Sequence, residues 1–288
     1  MNNPPVSPAS QLPSSFLSPA PLRPSTPAPL VFLKLGGSLI TEKQNIAAAR
    51  RDVISRLASE LVSIRKSNPD LRILLGHGSG SFGHVSAKKY TTRAGVHTPD
   101  EWQGFIEVWQ QAGALHRIVM DALLAAGLPA IGFPPSASVG AADGRISAWN
   151  LAPIQSALDA NLLPIVFGDV AFDSVRGGTI LSTEDLFVHL AAHFHPSRVL
   201  LAGDEDGVYT DFEAHGEIIP EITPSSDLSH IFEAATVADV TGGMAGKVQA
   251  MLDLVQQITG CQVRIFSGLV PGNLSRALSG EPLGTLIR

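Results

Sequence analysis

Six short apolar runs alternate with longer amphipathic segments between residues 30 and 266, and this alternation restricts the fold more than any other feature. The runs are Leu30–Leu35, Leu71–Leu75, Pro129–Phe133, Leu163–Phe167, Arg198–Ala202 and Gln262–Phe266. Short runs flanked by glycine or polar residues suit strands buried on both faces. Helical segments are predicted near 47–67, 100–126, 150–160, 184–194 and 244–258. Within 100–126, Phe105, Val108, Trp109, Ala112, Leu115, Val119, Ala122 and Leu123 recur at spacings of three and four, the apolar stripe of a helix. Alternating strand and helix units predict an α/β fold, a three-layer αβα sandwich with a mainly parallel central sheet. Residues 168–182 break the pattern. Turn formers at Asp173 and Arg176-Gly177-Gly178 flank short extended pieces there and predict a hairpin.

Composition narrows the function classes. With 288 residues, 44% hydrophobic and 16% charged, the chain can bury a sizeable core. A net charge of −6 argues against wrapping nucleic acid by bulk charge, so no nucleic-acid partner is expected. One cysteine, Cys261, excludes a disulfide framework and a cysteine-based zinc cluster; no metal-ligand set is expected. No apolar run reaches 18 residues, so no stable membrane insertion is expected, and a cytoplasmic location is. Residues 1–29 hold nine of the 21 prolines, one basic residue (Arg23) and no acid. They predict a disordered extension, with an organellar targeting peptide as the alternative. The folded domain is then 30–288.

In parallel sheets ligands gather at the carboxyl ends of the strands, which directs attention to the residues after each run. Lys34-Leu35-Gly36-Gly37-Ser38 ends the first, with Thr41 and Lys43 following. Paired glycines let backbone N–H groups approach an anion, and lysines place point charges on phosphate oxygens. Gly76-His77-Gly78-Ser79-Gly80-Ser81-Phe82-Gly83-His84 comes after the second. Its Gly78–Gly83 portion satisfies G-x-G-x-x-G, so a dinucleotide site stays open as an alternative. Gly168-Asp169-Val170 comes after the fourth run and Gly203-Asp204-Glu205-Asp206-Gly207-Val208-Tyr209 after the fifth. Thr241-Gly242-Gly243-Met244-Ala245-Gly246-Lys247 precedes a helix; it is not a Walker A loop, yet it places glycines and a lysine at a helix start. Three glycine-rich anion sites with Lys34, Lys43 and Lys247 would serve a nucleotide phosphate chain and a phosphorylated acceptor. Phosphoryl transfer needs such positioned charges and no covalent nucleophile.

Together these motifs resemble the amino acid kinase superfamily, and Gly80-Ser-Phe-Gly-His84 resembles its isopentenyl phosphate kinase branch. The resemblance runs over nearly all of 30–288. It implies an acceptor-binding half at about 30–168 and a nucleotide-binding half at about 169–288, with ATP as phosphoryl donor and Mg²⁺ carried with it. It implies isopentenyl phosphate as acceptor and a homodimer. Catalytic roles fall on Lys34, Lys43, His84 and Asp169: Lys34 on the β- and γ-phosphates, Lys43 on the transferring group, His84 on the acceptor phosphate, Asp169 organising the lysines. Lys34, Gly36, Gly37, Ser38, Gly80, Asp204, Tyr209, Gly243 and Lys247 would contact ATP. Ser79, Gly80, His84, Ser182 and Thr183 would contact the acceptor phosphate, with Phe105 and Val108 walling its alkenyl tail. Two departures stand out: Ser79 replaces a glycine common among relatives, and Leu181-Ser182-Thr183-Glu184-Asp185 lacks the glycine that often comes after the serine. Alternatives are a kinase of another small acceptor such as fosfomycin, a catalytically silent kinase-fold protein, and an NAD-dependent oxidoreductase built on Gly78–Gly83.

Overall fold

A computed structural model describes residues 29–42, 45–211, 215–228 and 243–288. Of the proline-rich stretch only Pro29 is among them, so the expected extension lies outside the described residues. The strands are β1 (Leu30–Leu35), β2 (Arg72–His77), β3 (Ala130–Gly132), β4 (Val139–Ala142), β5 (Arg145–Trp149), β6 (Leu163–Phe167), β7 (Asp169–Asp173), β8 (Gly177–Leu181), β9 (Arg198–Gly203), β10 (Glu221–Ile222), β11 (Gln262–Ser267) and β12 (Thr285–Ile287). The helices are α1 (Gly37–Ile40), α2 (Arg51–Ser67), α3 (His84–Tyr90), α4 (Pro99–Ala125), α5 (Pro135–Ser138), α6 (Ala152–Asp159), α7 (Thr183–Phe194), α8 (Gly243–Gln257) and α9 (Asn273–Ser279).

The large sheet runs β10-β12-β11-β9-β1-β2-β6-β3 and is parallel except between β11 and β12. Its alternating side chains feed two cores. Leu30 and Phe32 of β1 join Val199 and Leu201 of β9, Leu186 and Phe187 of α7, and Val248 of α8. Val31, Leu33 and Leu35 point the other way, to Leu57 of α2, Leu115 and Val119 of α4 and Leu274 of α9. This is the expected αβα sandwich. The period of two also places Lys34 on the α7/α8 face, a charge inside a sheet whose neighbours are otherwise apolar.

A second sheet, β5-β4-β7-β8, contains the expected hairpin, with Asp169 opposite Leu181 and Asp173 opposite Gly177. Because β4 pairs with β7, this sheet straddles the expected boundary at 168/169. By strand pairing, β7 and β8 belong to the same sheet as β4 and β5.

The carboxyl ends of β1 and β2 meet in backbone contact. A Cβ on Gly78 would lie 2.9 Å from the Gly37 nitrogen, and one on Gly37 would overlap the Gly80 backbone. Gly80 also holds φ at +49°. Thr41 ties the two loops together: its hydroxyl donates to the Gly37 carbonyl at 2.8 Å and accepts from the Ser81 N–H at 3.0 Å. Substituting Gly37→Ala drives a methyl into backbone and should cost about 3 kcal/mol, the upper part of the overpacking range. Gly113→Ala, inside α4 with nothing within 4 Å, should instead stabilise by about 0.5–1 kcal/mol. Urea unfolding of the two variants checks both signs.

Candidate active site

The central position of β1, between β9 and β2, brings three loops together at one end of the sheet. The Gly36 N–H donates to the Ala202 carbonyl at 2.7 Å, and the Ser38 hydroxyl donates to Asp204 at 2.6 Å. The loops after β1, β2 and β9 are therefore locked side by side, carrying Gly36, Gly37, Ser38, Ser79, Gly80 and Asp204 to one place.

Beneath this edge lies Lys34, 6% exposed, whose ammonium is ion-paired and hydrogen-bonded to Glu184 in the first turn of α7. The contact depends on Gly76, which neighbours Lys34 in the register. A Cβ on Gly76 would lie 2.6 Å from the Thr183 methyl and 2.7 Å from the Phe187 ring, so its absence lets α7 settle on the sheet beside Lys34. Burial pushes the Glu184 carboxyl up, but Lys34, with help from Lys247, outweighs it and holds the group below its ordinary range. Burial draws the Lys34 ammonium down, and Glu184 offsets part of that while Lys247 adds to it. Lys247 on α8 thus shares the electrostatic field of the pair.

Glu184 is the residue that sequence reasoning missed. Its partner is 150 positions away, and an acid in a helix's first turn reads as an ordinary dipole complement. The acid expected to organise the lysines, Asp169, is differently engaged. It is buried at the start of β7, where its carboxylate accepts from the Ser136 N–H at 3.2 Å and from the Val170 N–H at 2.8 Å. Burial raises its carboxyl against those hydrogen bonds. Ser182 and Thr183 also have internal partners. The Ser182 hydroxyl caps α7 in a reciprocal box with Asp185, and the Thr183 hydroxyl donates to the His77 carbonyl at 2.7 Å. Both bonds anchor the turn that carries Glu184.

Phe105 and Val108 lie apart from both main cores, in a small cluster with Ala87, Val96 and Val170 that Trp102 and Ile180 flank. Tyr209 is buried in the loop after β9, with its ring edge-on to His215 at 5.1 Å. Lys43 lies outside the described residues, and so does the side chain of His84, whose backbone opens α3. Among the described residues no three His, Cys, Asp or Glu side chains are grouped to hold a metal ion, and no helix is long and apolar enough to cross a membrane. The described residues therefore offer Mg²⁺ no cage of their own.

Comparison with known proteins agrees with this geometry. The model of the amino acid kinase family matches residues 29–267. An isopentenyl phosphate kinase of Methanothermobacter thermautotrophicus is 36% identical over 90% of this chain and 98% of its own. The chain belongs to the amino acid kinase family, in its isopentenyl phosphate kinase branch. A solved isopentenyl phosphate kinase superposes with a TM-score of 0.77 at 33% identity, covering 90% of this chain and all of the other. The Thermoplasma acidophilum isopentenyl phosphate kinase product complex superposes at 0.73 and 25%, with the same coverages.

Removing one partner of a buried ion pair leaves the other charge uncompensated, so Glu184→Gln should cost about 3–5 kcal/mol at neutral pH. The sign of its pH dependence comes from the depressed carboxyl. Stability from Glu184 is complete above the ordinary Glu value of about 4.3 and is lost as pH falls through the lower folded value. Urea midpoints followed into acid should therefore converge for the parent and Glu184→Gln; parallel curves would contradict the assignment.

Proposed function

We propose that this chain transfers the γ-phosphoryl group of ATP to the phosphate of isopentenyl phosphate, giving isopentenyl diphosphate and ADP. The observation that carries the reading is the buried Lys34 ammonium, held by Glu184 beneath the adjoining Gly36–Gly37 and Gly78–Gly80 loops, in a chain whose relatives bear that activity in their names.

An acceptor phosphate oxygen attacks Pγ while the bond to the β,γ-bridging oxygen breaks, and ADP leaves with that electron pair. Charge spreads over the moving group, so fixed donors and cations supply most of the catalysis. Lys34 with the Gly37 and Ser38 N–H groups takes the β- and γ-phosphates, while Gly36, whose N–H is given to the Ala202 carbonyl, fixes the loop that carries them. Gly243, Lys247, Asp204 and Tyr209 are assigned to the nucleotide side. Lys43 is assigned to the transferring group, and His84 to the acceptor phosphate with the Ser79–Gly80 backbone. Phe105 and Val108 back the acceptor's alkenyl tail. Asp169 is assigned to organising the lysines, with its carboxylate steadied by the Ser136 N–H. Mg²⁺ would be held by the phosphates of ATP rather than by side chains of this chain, and would supply neutralisation of phosphate charge. A homodimer belongs to this reading; β3 ends the described sheet as an open edge with Ile131 exposed, a surface that proteins usually cover.

An ADP-release assay of the purified protein against isopentenyl phosphate, dimethylallyl phosphate, fosfomycin and carbamate should give the highest kcat/KM with isopentenyl phosphate. No release with that acceptor would overturn the reading. Lys43→Ala should lower kcat by about 10²–10³, the loss typical of one transition-state donor. His84→Ala should cut turnover severely while ATP binding, followed by calorimetry, stays near the parent value; turnover within about threefold would remove His84 from the role, well short of the ~10²–10⁴ of an acid–base or charge-stabilising group.

A further inference from the structure

The last residue of β2, His77, is 1% exposed and holds none of the roles assigned so far. Its ring stacks on Phe167, its register partner on β6, at 5.3 Å and 5°. His116 of α4 stacks on the same Phe167 at 4.1 Å. The two imidazoles meet edge to edge, His77 Nε2 to His116 Nδ1 at 3.1 Å, while His77 Nδ1 faces the Gly78 carbonyl oxygen at 3.1 Å.

These contacts fix the protons. A ring nitrogen facing a carbonyl oxygen must carry hydrogen, so His77 is protonated at Nδ1. Burial, His116 and the Lys34 charge pull its pKa down to about 3, and burial with Arg117 pulls His116 down to about 4. Both rings are therefore neutral at working pH. The bare Nε2 of His77 must then accept, and His116 must carry its own proton on Nδ1. The chain reads His116 Nδ1–H to His77 Nε2, then His77 Nδ1–H to Gly78 O. Because the Gly78–Ser79 peptide is planar and trans, holding the carbonyl toward His77 directs the Ser79 N–H the opposite way.

We propose that His77, oriented by His116, is a positioning residue that sets the Gly78–Ser79 peptide so that the Ser79 N–H is presented to the acceptor's phosphate. The identity of that ligand rests on the kinase reading; the proton arrangement does not. The backbone carbonyl of His77 itself accepts from the Thr183 hydroxyl, so this residue also joins the second glycine loop to the turn that carries Glu184.

Two measurements test it on the full chain. In histidine labelled with ¹⁵N, two-bond ¹H–¹⁵N correlations should place both rings in the neutral Nδ1–H form without ligand; an Nε2–H or charged His77 would overturn the relay. In kinetics, His77→Leu should raise KM for isopentenyl phosphate about tenfold, the size of one lost hydrogen bond, with KM for ATP within about twofold. His77→Asn, whose amide N–H reaches where Nδ1 does, should restore most of it. Equal rises in both KM values, or an Asn variant as impaired as Leu, would overturn the role. If His77→Leu fails to fold, His116→Leu against His116→Asn carries the same comparison. Should the parent protein not turn over isopentenyl phosphate, the kinase reading fails separately. Inorganic phosphate then serves as probe: it should shift the Ser79 amide resonance in the parent and not in the Leu variant, and an equal shift in both would sink the proposal.

Discussion

A positive charge set into the middle of a parallel sheet governs the organisation of this molecule. Lys34 lies one residue before the carboxyl end of β1, between apolar neighbours, and an unpaired ammonium there would cost several kcal/mol of desolvation. Glu184 supplies the compensating charge, and it comes from a different element because β1 has no acid to offer. That requirement fixes where α7 begins. Gly76 opens the space, Ser182 and Asp185 cap the helix, and Thr183 bonds it to β2, so three local interactions serve one ion pair. The pair is a weak source of net stability, since an apolar pair would pack at lower cost. It is a strong specifier of geometry, placing a charged donor beneath the two glycine loops.

The loops themselves are placed by the complementary constraint, the absence of side chains. Gly37, Gly78 and Gly80 allow two backbones to touch, which concentrates N–H groups of separate strands within one small region. Thr41 and Ser38 then hold the loops by hydrogen bonds to Ser81 and Asp204 rather than by packing, so the edge stays rigid without becoming apolar. Charge beneath and donors above act on the same volume. Neither suffices alone, because one ammonium carries a single charge and backbone donors carry no net charge.

Much of this was legible in the sequence. Leu30–Leu35 and Leu163–Phe167 match their strands residue for residue, and the expected helix at 100–126 differs from α4 by one residue at each end. These segments are buried on both faces or along a continuous stripe, so hydrophobic pattern and structure carry the same information. The pattern fails where burial is partial. β4 and β5 have small or exposed side chains, α3 carries adjacent lysines in seven residues, and β12 has three residues; none shows a period. The glycine loops were found because backbone exposure leaves a residue-type signature. Glu184 was not, because pairing across 150 residues leaves none. His77 stood in plain view next to the glycines, yet its function depends on His116 in another layer.

The arrangement after β2 also decides between the two chemistries that the Gly78–Gly83 pattern left open. A dinucleotide fold needs its glycine loop to lead directly into a long helix whose N-terminus meets the pyrophosphate, with the second and third glycines freeing the approach of ligand and helix. Here Gly78 and Gly80 are occupied in meeting the backbone of the first loop, and a single 3₁₀ turn, Gly80–Phe82, leads only into the short α3. The glycines are spent on loop-to-loop contact, and the seven-residue helix offers little macrodipole for a pyrophosphate. A phosphate site built this way would take its charge from lysines such as Lys34 instead. That is the design suited to a reaction in which two phosphate groups must be brought together against their own repulsion, and it is poorly suited to holding a nicotinamide cofactor through a helix end.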